Sequence, residues 1–266
     1  MSHDVHLVAV LIAVAALAVT ASASQLDDLG NSVVFLVATP NAAQSDIGTG
    51  VLLVDGDTPF LATAEHVARG LSAESLAVIR AKDGTGLRIL FSKLIGRAAS
   101  PSWRYHDAAD LAILVLEPEA SLIPQLISRF LPVTLLRAEQ SAPPRPLTLT
   151  VLGFPLALGV SGKFSPISRE TKSASDLLVI KRADTEKPAL FFITQDPSIG
   201  GFSGAPVFDT GLPYSSDEAA MVLRPKTLQL VGIVHGTLFD KTGGKLGVVT
   251  PAHLLLELLH NVRGRK

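Results

Sequence analysis

Three short segments of the 266-residue chain carry side chains able to do nucleophilic chemistry, and they occur in the order His, Asp, Ser. In Leu61-Ala62-Thr63-Ala64-Glu65-His66-Val67 an apolar run leads straight into a histidine. In Ala109-Asp110-Leu111-Ala112-Ile113-Leu114-Val115-Leu116 an aspartate opens an aliphatic run, and in Gly200-Gly201-Phe202-Ser203-Gly204-Ala205-Pro206-Val207 a glycine-rich turn presents one serine. A serine hydroxyl attacks a carbonyl poorly unless a base removes its proton during the attack, and an imidazole titrating near neutrality suits that task. A carboxylate on the other ring nitrogen fixes the tautomer and stabilises the imidazolium. Glycines beside the serine let backbone amides face a developing oxyanion, which assigns Gly201 and Ser203 as its donors. The chemistry of such a set is acyl transfer. Read singly, each segment has an ordinary structural reading as a strand end, a turn or a loop.

Taken together, the segments resemble those of the trypsin-like (chymotrypsin-fold) serine proteases, above all the cysteine-free HtrA-type enzymes of bacteria. Thr63-Ala64-Glu65-His66 is similar to the family's T-A-x-H segment, Asp110-Leu111-Ala112 to its D-[IL]-A segment, and Gly201-Phe202-Ser203-Gly204-Ala205-Pro206 to its G-x-S-G-[GA]-P. Gly48-Thr49-Gly50-Val51 resembles the strand before the histidine, and Leu230–Val234 with Gly247–Thr250 resemble the walls of the specificity pocket. The resemblance runs from about residue 30 to 260. It implies two antiparallel β-barrels of six strands each, with His66, Asp110 and Ser203 as a catalytic triad and Gly201 and Ser203 as the oxyanion hole. It also implies a substrate pocket at Pro197, Val234, His235, Gly236 and Gly247, with a medium-sized apolar residue before the scissile bond. The chain order also excludes the α/β-hydrolases, which run Ser, acid, His around a G-x-S-x-G elbow that Gly201-Phe202-Ser203-Gly204-Ala205 does not complete.

Two positions depart from the pattern, and two residues compete with the motif. Phe202 stands where many members carry an aspartate that receives a newly cut N-terminus, so that route of activation is not expected here. His235 replaces a serine of the pocket-wall strand, and Asp107 is a second acid close enough in sequence to compete with Asp110. Asp110 is preferred because it abuts the aliphatic run directly. Ser161 is a second serine near glycines without the rest of the motif.

The elements that must position these residues are short strands. Apolar runs at Ser32–Thr39, Gly50–Val54, Phe60–Thr63, Leu76–Arg80, Leu87–Leu94 and Leu111–Leu116 are separated by turns bearing glycine and aspartate. A second set occupies Leu147–Gly153, Leu177–Lys181, Leu190–Thr194, Ala205–Phe208, Leu228–Val234 and Gly247–Val249. Between them the stretch from Leu131 to Pro146 holds four prolines and reads as a linker. The expected class is therefore all-β: a first barrel over about 30–130, a linker over 131–146 and a second barrel over about 147–250. A C-terminal α-helix follows over about 251–262, opened by Pro251.

Composition narrows the function from the other side. With 23 basic and 24 acidic residues the chain carries no electrostatic footprint for nucleic acid. No cysteine is present, which removes thiol catalysis, disulfides and thiolate metal sites, and no HExxH spacing joins any of the seven histidines. No metal and no cofactor is expected. Leu7–Val19 is an unbroken apolar run followed by Ala21-Ser22-Ala23, the pattern of a signal peptide over residues 1–23. The expected location is secreted or periplasmic, with membrane contact only if that segment stays uncleaved. The expected partner is a polypeptide substrate, the resemblance implying a serine endopeptidase of exported or extracellular proteins. The alternatives are an esterase and a catalytically silent binding module on the same fold.

Overall fold

A computed structural model describes residues 24–38, 46–182, 184–210 and 228–263. The segment 1–23 read as a signal peptide lies outside the described residues. Among the described residues no helix is long and apolar enough to cross a membrane.

The chain folds into two sheets with few helices. The first sheet contains β1 (Val33–Val37), β2 (Ile47–Asp55), β3 (Thr58–Thr63), β4 (Leu76–Arg80), β5 (Gly86–Leu90), β6 (Arg104–Tyr105), β7 (Ala112–Val115) and β8 (Leu131–Pro132). Its order is β5-β4-β1-β2-β3-β7-β6, antiparallel throughout, with β8 added in parallel beside β2. The second sheet contains β9 (Thr148–Gly153), β10 (Ile167–Lys172), β11 (Leu178–Lys181), β12 (Pro188–Thr194), β13 (Pro206–Asp209), β14 (Gln229–Phe239) and β15 (Lys245–Pro251). Its order is β10-β9-β13-β14-β15-β12-β11, again antiparallel.

The all-β expectation holds, with differences of detail. Each sheet is an open path rather than a closed ring of six strands. In the first sheet the surplus comes from β6 and β8, which are two residues long. In the second it is β10, whose sequence Ile-Ser-Arg-Glu-Thr-Lys has no apolar run because it pairs on one side only, with β9, and leaves most of its residues wet. The run Leu87–Leu94 is divided: β5 ends at Leu90 and a 3₁₀ turn takes Phe91–Lys93.

Among the described residues four α-helices complete the fold: α1 (Ser24–Gly30), α2 (Glu65–Ala68), α3 (Ile123–Leu126) and α4 (Ala252–Arg263). Leu254, Leu255, Leu258 and Leu259 of α4 are buried, at the i, i+1, i+4, i+5 spacing of one helix face. They join a core that draws on both sheets, including Phe35 of β1, Phe154 after β9, and Phe208 of β13. The Phe35 and Phe154 rings meet edge-on at 5.6 Å between centroids. This shared core fixes the two sheets against each other, and residues contributed by both meet beside it.

Candidate active site

Register brings the first two residues together. β3 pairs with β7 so that Thr63 faces Ala112, and the chain just beyond Thr63 therefore meets the chain just before Ala112. His66 sits on α2, the one-turn helix after β3, and Asp110 lies in the turn before β7. The His66 Nδ1 is 2.7 Å from Asp110 Oδ2, and the His66 backbone N–H donates to Asp110 Oδ1 at 3.1 Å. Asp110 is fully buried, whereas the His66 side chain keeps 29% of its surface exposed. That division suits a group that orients and a group that reacts.

Two further donors complete the Asp110 carboxylate, and neither is legible in the motif. Arg182, in the β11–β12 connection, reaches across from the second sheet and places Nη2 2.9 Å from Asp110 Oδ1. His235 places Nδ1 2.5 Å from Asp110 Oδ2. The four lone-pair directions of the carboxylate are thus all used. Burial by itself would raise the Asp110 pKa, but the hydrogen bonds from His235 and His66 outweigh it and hold the group below the usual carboxylate range.

His235 is aimed at Asp110 by a bulge. Between Val234 and Gly236 the pairing of β14 with β15 skips one residue, and His235 is the residue left unpaired. Its ring stacks on Phe191 at 4.9 Å and meets the His66 ring edge-on at 5.5 Å. Donor atoms of His66, Asp110 and His235 all lie within 4.8 Å of one another. Zinc ligands held at about 2.1 Å in a tetrahedron stand roughly 3.4 Å apart. Spacings of 2.5 and 2.7 Å on one oxygen, with Arg182 on the other, are those of shared protons.

Arg182 is itself buried, at 5% exposure, and lies among three acids. Beside Asp110 it pairs with Glu65, the residue before His66, and with Asp184 through Nε at 2.9 Å. Burial opposes its charge, yet the bonds to Asp184 and Glu65 and the charge of Asp110 raise its pKa above the ordinary arginine value. Arg69 binds Glu65 from the solvent side through Nε at 2.9 Å. For His66, burial favours the neutral ring, but the hydrogen bond and charge of Asp110, helped by Asp184, prevail and raise its pKa above the usual 6.5, while Arg182 pulls the other way.

Ser203 lies in the turn that feeds β13. Gly201 and Gly204 both have positive φ, +99° and +84°, and added side chains would meet Phe154 O at 2.4 Å and Thr49 O at 2.1 Å. Within this turn Phe202 N–H donates to Ile199 O, Gly204 N–H to Val234 O and Ala205 N–H to Phe202 O. Among the described residues no backbone acceptor takes the N–H of Gly201 or of Ser203. Thr49 of β2, which in the sequence marks only the strand before the histidine, clamps the turn from the first sheet. Its N–H donates to Ser203 O at 2.8 Å and its Oγ1 donates to Gly201 O at 2.7 Å. A fully buried polar residue between Gly48 and Gly50 is the signal that marks it.

The Ser203 hydroxyl donates to the His235 carbonyl oxygen at 3.2 Å. His66, Gly200, Gly201 and Ser203 line one cleft with Ile47 and Leu71, so the serine and the imidazole share an opening to solvent. A second, smaller cavity adjoins the turn. Pro197, Val234, Gly236 and Gly247 line it together with Thr194 and Phe202. His235 is absent from that lining, because its ring is spent on Asp110. Phe202 is buried against Val151, Phe192 and Val207, so an apolar core takes the place that an aspartate would need. Asp107 and Ser161 are both exposed, away from these contacts.

Solved structures share this architecture, two of them bacterial proteases. The Rv3671c protease from M. tuberculosis, in its active form, aligns over 91% of this chain and 87% of its own, with 16% identity and a TM-score of 0.51. The serine endoprotease from Yersinia pestis aligns over 92% of this chain and 67% of its own, with 16% identity and a TM-score of 0.52. The fold is that of the trypsin-like serine proteases. No family model matches the sequence, and no curated protein matches it either. Within the trypsin-like fold, His66 and Asp110 come from the first sheet while Ser203, His235 and Arg182 come from the second. The site therefore exists only where the two halves are docked.

Proposed function

We propose that the chain is a serine endopeptidase acting on exported polypeptides, with Ser203 as nucleophile, His66 as general base and Asp110 as the group that orients the base. The observation that carries this reading is the 2.7 Å contact between His66 and a buried Asp110, in a cleft shared with Ser203, in a turn where the N–H groups of Gly201 and Ser203 have no backbone acceptor among the described residues. When a substrate carbonyl enters, the Ser203 hydroxyl turns from the His235 carbonyl to the free Nε2 of His66. Its proton passes to His66 as Oγ attacks, and the amides of Gly201 and Ser203 receive the oxyanion. The imidazolium then protonates the leaving amine, and water repeats the sequence to release the acyl group.

The pocket beside Ser203 favours a small aliphatic side chain before the scissile bond. Its volume is only about 20 Å³, close to that of one water, and its walls are Val234, Val248 and Phe202. Export is supported by the apolar run Leu7–Val19 and the small residues Ala21-Ser22-Ala23. The test is incubation of the purified chain with a mixture of unfolded polypeptides and of alkyl esters, followed by identification of the products. Peptide cuts after Ala or Val support the reading. Ester cleavage without peptide cleavage replaces it with an esterase, and no turnover of either substrate refutes it.

Arg182 acts as a positioning residue through Asp110, and its charge sets the base. Because the His66 pKa is raised, activity measured as kcat/KM is lost on acidification with a midpoint above 6.5, since only the neutral ring accepts the serine proton. Removing a cation that lowers this pKa favours the imidazolium further, so Arg182→Gln moves the midpoint upward as well as reducing kcat. Arg182→Lys, which keeps the charge but loses the fork, returns the midpoint towards the parent while kcat stays low. A pH profile unmoved in Arg182→Gln contradicts the assignment, because a merely structural role lowers kcat without shifting the limb.

A further inference from the structure

Away from Ser203 a larger cavity, of about 500 Å³, opens where the two sheets meet. Its charged walls are Asp27 and Asp28 of α1, Arg80 at the end of β4, Lys82 in the next turn, Arg129 after α3, and Lys163 in the loop between β9 and β10. Four cations thus face two carboxylates.

Arg129 is the residue that needs explaining. It is only 8% exposed, and its Nε donates to the Gln125 carbonyl oxygen at 2.5 Å. Among the described residues no carboxylate pairs with it, and none pairs with Arg80, Lys82 or Lys163. Burial first, and then the charge of Arg80, push the Arg129 guanidinium below its ordinary value. Arg80 has only a long contact, 3.5 Å from Nη1 to the neutral Asn31 Oδ1. Buried cations in proteins are paired, because an uncompensated desolvated charge is costly. Arg182 meets that rule with three acids; Arg129 does not.

The walls are also held in place. Phe164 N–H donates to Gly84 O at 2.8 Å, and Thr85 bridges Lys163, so the lysine loop of one sheet is laced to the β4–β5 hairpin of the other. A cavity with two neighbouring guanidiniums and fixed walls is shaped for a ligand that brings the missing negative charge.

We propose that this cavity is an oxyanion-binding site, taking a small phosphate- or carboxylate-bearing molecule between Arg129 and Arg80, with Lys163 and Lys82 at the rim. The site is independent of the chemistry at Ser203. A bound anion braces the two sheets, and since the unfolded chain has no such cavity, occupancy raises the melting temperature by mass action.

The experiment is thermal unfolding and calorimetric titration of the full chain with inorganic phosphate and, separately, with citrate, against sodium chloride at matched ionic strength. A saturable rise in Tm with one of them is expected, and which one distinguishes a phosphate ligand from a carboxylate ligand. Arg80→Gln and Lys163→Gln, both at solvent-reached positions, each shift the half-saturating concentration upward by about tenfold, the effect of losing one charge-assisted pair. Asp28→Asn, which removes a repelling charge, shifts it downward. A rise that chloride matches, or a half-saturation unchanged in both cation variants, overturns the proposal.

Discussion

Ser203→Ala is expected to reduce kcat on a peptide substrate by on the order of 10⁶ while the folded protein persists. The size follows from the division of labour in the cleft. On the proposed mechanism no acyl-enzyme forms without Oγ, and what remains is water attack assisted by the unpaired amides of Gly201 and Ser203. Stability should scarcely change, because Ser203 is half-buried and its side chain makes a single hydrogen bond, to the His235 carbonyl. Its backbone carbonyl, which accepts from Thr49 N–H, is untouched by the substitution. Kinetics on a chromogenic peptide, with Tm as the control for folding, check both parts.

Asp110→Asn is expected to lower kcat by about 10⁴. The carboxylate accepts four bonds, and all four of its partners present protons: His66 N–H, His66 Nδ1, Arg182 Nη2 and His235 Nδ1. An amide offers one acceptor oxygen and one NH₂, so two of the four donors must face a donor. If the NH₂ takes the Oδ2 place, His66 is driven to the tautomer that carries its proton on Nε2 and cannot accept from Ser203. If it takes the Oδ1 place, it opposes Arg182 and the His66 backbone N–H. The same variant should also lose stability at neutral pH. The folded-state pKa of Asp110 lies below its unfolded value, so its contribution is present above the unfolded value near 3.8 and fades as pH falls through the folded one. The stability gap between parent and Asp110→Asn should therefore narrow on acidification. Unfolding at a series of pH values measures it.

How far this site could be read in advance depends on how local its requirements are. The T-A-E-H, D-L-A and G-F-S-G-A-P segments were legible because each places a reactive residue type against a strand or within a glycine turn, and those needs are met by neighbours in sequence. The strands were legible for the same reason, wherever one face is buried. β10 was not, since an edge strand with most residues wet carries no apolar run. Arg182 and His235 escaped for a different reason. Nothing around Lys181-Arg182 distinguishes a surface arginine from one that spans two sheets to a buried acid, and only the docking of the sheets decides it. His235 could be placed on the pocket-wall strand, but the bulge that turns its ring from the pocket to Asp110 depends on the pairing with β15. The cavity around Arg129 is likewise invisible in sequence, because its walls come from five separate stretches of chain.

On the proposed mechanism these non-local contacts are the condition for activity. The turn that carries Ser203 is clamped by Thr49 from the other sheet, and Asp110 is held by Arg182 from the opposite direction. Loosening the two halves should therefore disable the chemistry before it unfolds either one.

The most direct measurement is covalent labelling with a fluorophosphonate, followed by peptide mapping of the adduct. An activated serine reacts at Ser203 alone in the parent chain, and labelling disappears in His66→Ala although the serine is still present. Labelling elsewhere, or labelling of Ser203 that survives the loss of His66, would show that this hydroxyl is not driven by that imidazole.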